Sequence, residues 1–120
     1  MRHQLGRFRG ELLGADGAVT RAAFDGPARA VRCARAIAEA AAARGIALRA
    51  GLHTGECLLA DWRAEGPAVT LSAAIAELAQ RGEVLVSATV RDLLGGSGVG
   101  LRERDGTGPD GLRLFAAGAA

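Results

Sequence analysis

Three side chains with acid–base or nucleophilic chemistry occur within one short stretch, namely His53, Glu56 and Cys57. An imidazole or a carboxylate can act as a general base, and a thiol can act as a nucleophile. Thr54-Gly55 lies between them and is typical of a tight hairpin turn, because glycine tolerates the positive φ that such turns require. The three side chains are therefore predicted to cluster beside a turn. Strand alternation, however, argues against a well-aligned catalytic pair.

Two predicted strands and one predicted helix would position these side chains. Apolar residues alternate over 46–53, which is typical of a half-buried strand. Residues 56–60 can return as an antiparallel strand, followed by a polar break over 61–65. Pro67 then marks a helix start, because proline at the first helical position loses no hydrogen bond. Helical spacing predicts that the core-facing residues of this helix are Ala68, Leu71, Ile75 and Leu78.

The N-terminal part of the chain predicts a hairpin followed by a long helix. Residues 8–13 and 19–24 are expected to pair across a turn at 14–17, where Asp-Gly is flanked by apolar residues. The helix is predicted to end near Arg44, with Asp25 as its N-cap and Gly45 as its stop. Its periodicity turns Cys33 towards the core, where a thiol behaves as a small hydrophobic group.

The C-terminal part predicts shorter elements. A buried strand is expected over 83–86, and a brief helix over 88–94 with Ser87 as its cap. A terminal hairpin is expected from 99–104 and 112–115, followed by a frayed tail over 116–120.

Composition restricts the classes of function. The chain has 120 residues, which is enough for one hydrophobic core and hence for a single domain over 1–120. Its 15 basic residues are all arginine, so a Schiff-base lysine and a Walker-type phosphate lysine are excluded. The arginines form no run with interleaved aromatic residues, and we therefore predict no nucleic-acid partner.

Cysteines and hydropathy point to a cytoplasmic protein. Cys33 and Cys57 match no zinc-binding spacing, and the two histidines cannot complete such a site. No signal peptide and no apolar run long enough to span a bilayer occurs, so no membrane association is expected. We predict a cytoplasmic protein with reduced thiols and without a cofactor.

Four blocks of sequence occur in an order that resembles a known family. They are FDGPARAVRCARAI (24–37), RAGLHTGEC (49–57), GPAV (66–69) and GEVLVSATVRDLL (82–94). Together they are similar to the C-terminal part of a class III adenylate/guanylate (nucleotidyl) cyclase homology domain. The resemblance implies a ferredoxin-like α+β sheet with helices on one face that works as a dimer with active sites at the interface. Residues 1–9 resemble the end of a helix that precedes the family's second strand, so we expect a domain truncated at its N-terminus.

The resemblance also assigns positions to the family's chemistry, and the residues found there differ from what that chemistry needs. The first metal-binding aspartate belongs to the strand we expect to be missing. Asp16 resembles the second metal-binding aspartate, although its spacing to Phe24 is longer than the family usually has, and plain turn chemistry is the alternative. The family's purine-recognising lysine would fall near Leu12. Its catalytic asparagine and arginine would fall at Thr70 and Ala74.

Two functions follow as alternatives. The first is a catalytically degenerate module that binds a small molecule or a protein partner, in a sensor, regulatory or carrier role, as a homodimer. No residue is then catalytic, Asp16 is the candidate metal ligand, and the predicted ligand-binding residues are Thr70, Ala74, Glu77, Trp62, Arg63 and His53. Thr70, Ala74 and Glu77 share one helix face, Arg63 lies near the family's base-selecting position, and Trp62 can stack on a ligand or cover the core edge. The alternative is an enzyme, with residual cyclase activity or with the scaffold recruited for another reaction.

Overall fold

The computed structural model describes residues 2–8, 10–16, 19–54, 58–60, 63–65 and 67–118. Helices and strands alternate irregularly along these residues, and the α+β class predicted from the sequence is confirmed. In chain order the elements are α1 (Arg2–Arg7), β1 (Gly10–Asp16), β2 (Val19–Phe24), α2 (Pro27–Ala42), β3 (Ala50–Leu52), β4 (Leu58–Ala60), β5 (Arg63–Glu65), α3 (Pro67–Leu78), β6 (Val84–Ser87), α4 (Ala88–Asp92), β7 (Leu101–Thr107), a 3-10 turn (Pro109–Gly111) and β8 (Arg113–Ala117).

A four-stranded mixed sheet in the order β3-β6-β8-β7 forms the centre of the domain. Strands β3 and β6 are parallel and are connected through α3, whereas β8 is antiparallel to both β6 and β7. Two hairpins, β1-β2 and β4-β5, form separate two-stranded sheets within the described residues. The carboxyl ends of β3 and β6 therefore lie at the same edge of the central sheet.

Strand β6 organises the core because it is buried on both faces. Val84 and Val86 pack into one apolar cluster with residues of α2, α4 and β8, while Leu85 packs into a second cluster with Ile75 of α3. Helices α2 and α4 lie together on one face of the sheet, as predicted. Helix α3 covers the opposite face. Helix α3, which contains the predicted site residues Thr70, Ala74 and Glu77, therefore packs on a face of the sheet through Ile75.

Helix α2 begins and ends almost where the sequence predicts. Its N-cap is Gly26, at φ 136°, and no side chain caps it, so the prediction of Asp25 as the cap is wrong. Only glycine adopts this φ readily, and Gly45, at φ 77°, ends the segment as predicted. Cys33 is fully buried, as expected, and burial raises the pKa of its thiol. Val31 of the same helix is also fully buried.

Three predictions of strand and helix packing are wrong. Strand β4 pairs antiparallel with β5 and not with the strand before the Thr54-Gly55 turn, since that strand, β3, has the parallel strand β6 as its described partner. The polar break over 61–65 accordingly contains β5. Leu78 is 48% exposed, because α3 contacts the sheet through Ile75, as predicted, and through Ala79 in place of Leu78.

The ends of the hairpins also differ from the prediction. Strand β1 continues to Asp16 through a register irregularity between Leu12 and Gly14, so the predicted turn at 14–17 is largely strand. Strand β8 extends to Ala117, and Ala116 and Ala117 are buried. The tail predicted over 116–120 is therefore part of the core at its first two residues. Helix α4 has Ser87 as its N-cap, as predicted.

Candidate functional site

The carboxyl ends of β3 and β6 bring His53 and Ser87 together. His53 follows β3 directly, and its Nδ1 lies 2.7 Å from the Oγ of Ser87, the last residue of β6. The same Oγ accepts a hydrogen bond of 3.3 Å from the backbone N–H of Val90, which caps α4. Ser87 is fully buried and His53 is half-buried. A polar pair thus connects two adjacent strands with the start of a helix.

Helix α3 packs very closely against β3. A Cβ atom added to Gly51 would lie 2.5 Å from the carbonyl oxygen of Ser72 and 2.8 Å from the Cα of Ala76. The absence of a side chain at Gly51 therefore allows the helix backbone to contact the strand. Since Ser72 and Ala76 face the strand, the opposite side of the helix points away from the sheet.

The outward side of α3 contains the helix residues predicted to line a site. Thr70 and Glu77 are exposed, and Ala74 between them is half-buried. Exposed Ala73 and Leu78 flank this row, so the outward side is more apolar than an ordinary solvated helix face. Because α3 runs from the carboxyl end of β3 back to the amino end of β6, Thr70 lies towards the end of the helix nearer His53. We call Thr70, Ala73, Ala74, Glu77 and Leu78 the outer face of α3.

Solved structures of nucleotide cyclases share this architecture. An adenylate/guanylate cyclase/hydrolase from Silicibacter pomeroyi superposes with a TM-score of 0.83 over 99% of this chain and 79% of its own, at 22% identity. The adenylyl cyclase CyaB from P. aeruginosa gives a TM-score of 0.80 at 17% identity, covering 99% of this chain and 76% of its own. The guanylate cyclase domain of RhGC from Catenaria anguillulae, in complex with GTP, gives 0.78 at 17% identity, covering 98% and 77%. The chain has a class III cyclase-like fold.

Sequence comparison identifies relatives of this cyclase-like domain that are described as uncharacterized proteins. The uncharacterized protein Rv0891c of Mycobacterium tuberculosis is 40% identical over 75 residues, which is 62% of this chain and 26% of that protein. An uncharacterized protein of Mycobacterium bovis, Mb0915c, matches to the same extent. The chain spans about a quarter of the length of these curated relatives. No protein-family model matches it.

The other predicted site residues of the cyclase-like domain are placed only in part. Asp16 is the last residue of β1, where its backbone pairs with Val19. Arg63 is the first residue of β5. Trp62 lies outside the described residues, as do Glu56 and Cys57, so the predicted cluster beside the Thr54-Gly55 turn stays a prediction.

Ser87, which the sequence predicts only as a helix cap, is the residue that the structure adds to the candidate site, through its contact with His53. The parallel register of β3 and β6 could have indicated this contact. In that register Leu52 pairs with Val86, and the next residues, His53 and Ser87, become neighbours. Within the described ranges, no group of three metal-ligating side chains occurs. No helix among those residues is long and apolar enough to cross a membrane.

Lowering the pH from about 7.5 to about 5.5 is expected to destabilise the domain through His53. Burial lowers the pKa of His53 below its ordinary value of 6.5, so between the two pKa values the unfolded state binds more protons than the folded state. The contribution of His53 to stability is then complete above pH 6.5 and is lost as the pH falls through the folded-state pKa of His53. Urea unfolding midpoints at the two pH values measure this effect.

A variant that cannot titrate serves as the control. His53→Asn keeps a hydrogen-bonding group near Ser87 and should remove most of the pH dependence in this window. Glu103, whose pKa is lowered by its hydrogen bond to Arg113, titrates below 4.5 and contributes at lower pH only. An unchanged pH dependence in His53→Asn would show that another group is responsible.

Proposed function

We propose that the chain is a catalytically degenerate cyclase-like module that binds a protein partner or a small molecule through the outer face of α3. The observation that carries the proposal is the composition of this face, which combines exposed Ala73 and Leu78 with half-buried Ala74. Apolar side chains gathered on one side of a surface helix are typical of a binding surface.

The charge on this face argues against a nucleoside triphosphate as its ligand. Its ionisable residue is Glu77, which is exposed, and an anionic triphosphate would be repelled by this carboxylate. Catalysis of phosphoryl chemistry requires cationic groups or bound metal ions directed at the charge that develops in the transition state. Thr70 and Ala74 supply neither, and the resemblance to cyclases expects a catalytic asparagine and arginine at these two positions. A neutral or apolar ligand suits this surface better.

We further propose a second copy of the chain as the partner. Among the described residues, β3 pairs with β6 only, so the other edge of β3 has no hydrogen-bonded strand there. Unpaired edges and apolar helix faces are commonly covered by association. A homodimer would cover both features at once, and a small molecule could be held at the interface. A role in cytoplasmic signalling is part of this proposal.

An activity assay tests the catalytic part of the proposal. The purified chain, incubated with manganese and either ATP or GTP, is expected to form no cyclic nucleotide above the level of a protein-free blank. The adenylyl cyclase CyaB of P. aeruginosa, assayed in parallel with ATP, serves as the positive control. Each missing charged contact is typically worth about 1.5 to 3 kcal/mol in binding, and more in the transition state. Reproducible turnover of either nucleotide would contradict the proposal.

A further inference from the structure

Ser87 has one hydroxyl proton to donate, and the structure limits where that proton can go. A serine hydroxyl is one donor and accepts at two lone pairs. Its Oγ already accepts from the backbone N–H of Val90, at 3.3 Å. Since Ser87 is fully buried, its proton cannot reach solvent. The Nδ1 of His53, at 2.7 Å, is the other hydrogen-bonding atom that the structure places beside this oxygen.

The two possible tautomers of His53 therefore differ in how well Ser87 is satisfied. If Nδ1 is unprotonated, Ser87 donates to it, and both Nδ1 and the buried hydroxyl proton of Ser87 have a partner. If Nδ1 carries the proton, it donates to Oγ, and the buried hydroxyl proton of Ser87 has no acceptor. Leaving a buried donor without a partner is costly, so the first arrangement is strongly preferred. Burial of His53, which lowers its pKa, favours the neutral ring as well.

The remaining ring nitrogen of His53 is available to a ligand. His53 is half-buried, and within the part of the chain that the structure describes its ring is hydrogen-bonded through Nδ1, with no hydrogen bond to Nε2. Nε2 lies at the carboxyl ends of the parallel strands β3 and β6, and open crevices at such strand ends commonly bind ligands. With Nδ1 accepting from Ser87, Nε2 carries the ring proton and can only donate.

We infer that Ser87 is a positioning residue that holds His53 as its Nε2–H tautomer, so that the site presents a neutral hydrogen-bond donor. The complementary group on a ligand or partner is an acceptor oxygen, such as that of a carbonyl, carboxylate or phosphate. A donor group or a metal ion at this nitrogen is disfavoured. This inference rests on the proposed function for the existence of a ligand, but the tautomer itself can be measured without one.

Long-range proton–nitrogen NMR of the histidine side chains tests the inference directly on the full chain at about pH 7.5. For His53 we expect a ratio of the Nε2–H form to the Nδ1–H form that is about tenfold or more above the ratio of free histidine in the same buffer. His3, the other histidine, is assigned with a His3→Gln variant. A dominant Nδ1–H form, or a ratio equal to that of free histidine, overturns the inference.

Two variants separate positioning from mere packing. Ser87→Thr keeps the hydroxyl and should retain the Nε2–H excess, whereas Ser87→Ala removes it and should return the ratio towards that of free histidine. An unchanged excess in a folded Ser87→Ala variant also overturns the inference. If Ser87→Ala fails to fold because the cap of α4 is lost, the wild-type and Ser87→Thr ratios still decide. A wrong tautomer in a chain that associates normally would refute this inference and leave the proposed function standing.

Discussion

Replacing Gly51 by alanine is expected to destabilise the domain by about 3 kcal/mol or more, which is a large part of the stability of a small domain. The new Cβ would lie 2.5 Å from the carbonyl oxygen of Ser72 and closer still to the backbone nitrogen of Ala76. Both neighbours are backbone atoms, so no side-chain rotation can relieve the clash. Either α3 moves away from β3 or the strand shifts out of register with β6.

Urea denaturation of Gly51→Ala, of Gly95→Ala and of the wild type measures this loss of stability against a control. Gly95 is exposed, and a Cβ at this position would meet no atom within 4 Å. The Gly95 variant should therefore unfold within about 0.5 kcal/mol of the wild type, as surface substitutions usually do. Equal stability of the two variants would mean that α3 does not approach β3 as closely as the structure shows.

The elements that the sequence predicts well are those with strong local signals. Pro67 and the apolar spacing after it predict the start and end of α3, which runs over Pro67–Leu78. Ser87 after an apolar run predicts both the end of β6 and the cap of α4. Capping and helical periodicity depend on neighbouring residues, so they can be read without knowing the tertiary structure.

Pairing between distant strands could not be predicted in the same way. The Thr54-Gly55 signal favours a local hairpin, but burial of β6 on both faces gives β3 a distant parallel partner. Gly51 looked like an ordinary position on the second face of a half-buried strand, because the sequence does not show that a helix backbone will cover it. Tertiary packing overrides local preference at both positions.

Only the local part of the candidate site could be predicted from the sequence. Helical spacing identified Thr70, Ala74 and Glu77 as one face, and the structure places that face outwards, with Ala74 half-buried. The hydrogen bond between His53 and Ser87 joins residues far apart in sequence, and it follows only from the register of β3 and β6. Exposure of Leu78 was also unexpected, since helical spacing gives relative angles around a helix but not which angle faces the sheet.

Replacing Ala74 by arginine is expected to leave the fold intact and to abolish association through the outer face of α3. A long arginine stem can extend from a half-buried position until its charge reaches water. In a homodimer, the same charge would be buried at the interface near its symmetry copy, which typically costs several kcal/mol. If Ala74 instead packed against another part of its own chain, the arginine would destabilise the monomer.

Ala40→Arg is the matched control, because Ala40 is an exposed alanine within α2 and receives the same added charge on a different helix. It should change neither the melting temperature nor the association of the chain by more than a small amount. A parallel loss of association in both variants would point to a general charge effect and against the outer face of α3 as the interface.

Light scattering of the wild type and of Ala74→Arg at micromolar concentration, with melting temperatures measured on the same samples, tests the central claim most directly. The proposal predicts a wild-type mass of twice the 12.2 kDa of one chain and a folded Ala74→Arg variant with the mass of one chain. A monomeric wild type would contradict the homodimer. An unfolded Ala74→Arg variant, or a folded one that still dimerises, would contradict the assignment of the outer face of α3 as the binding surface.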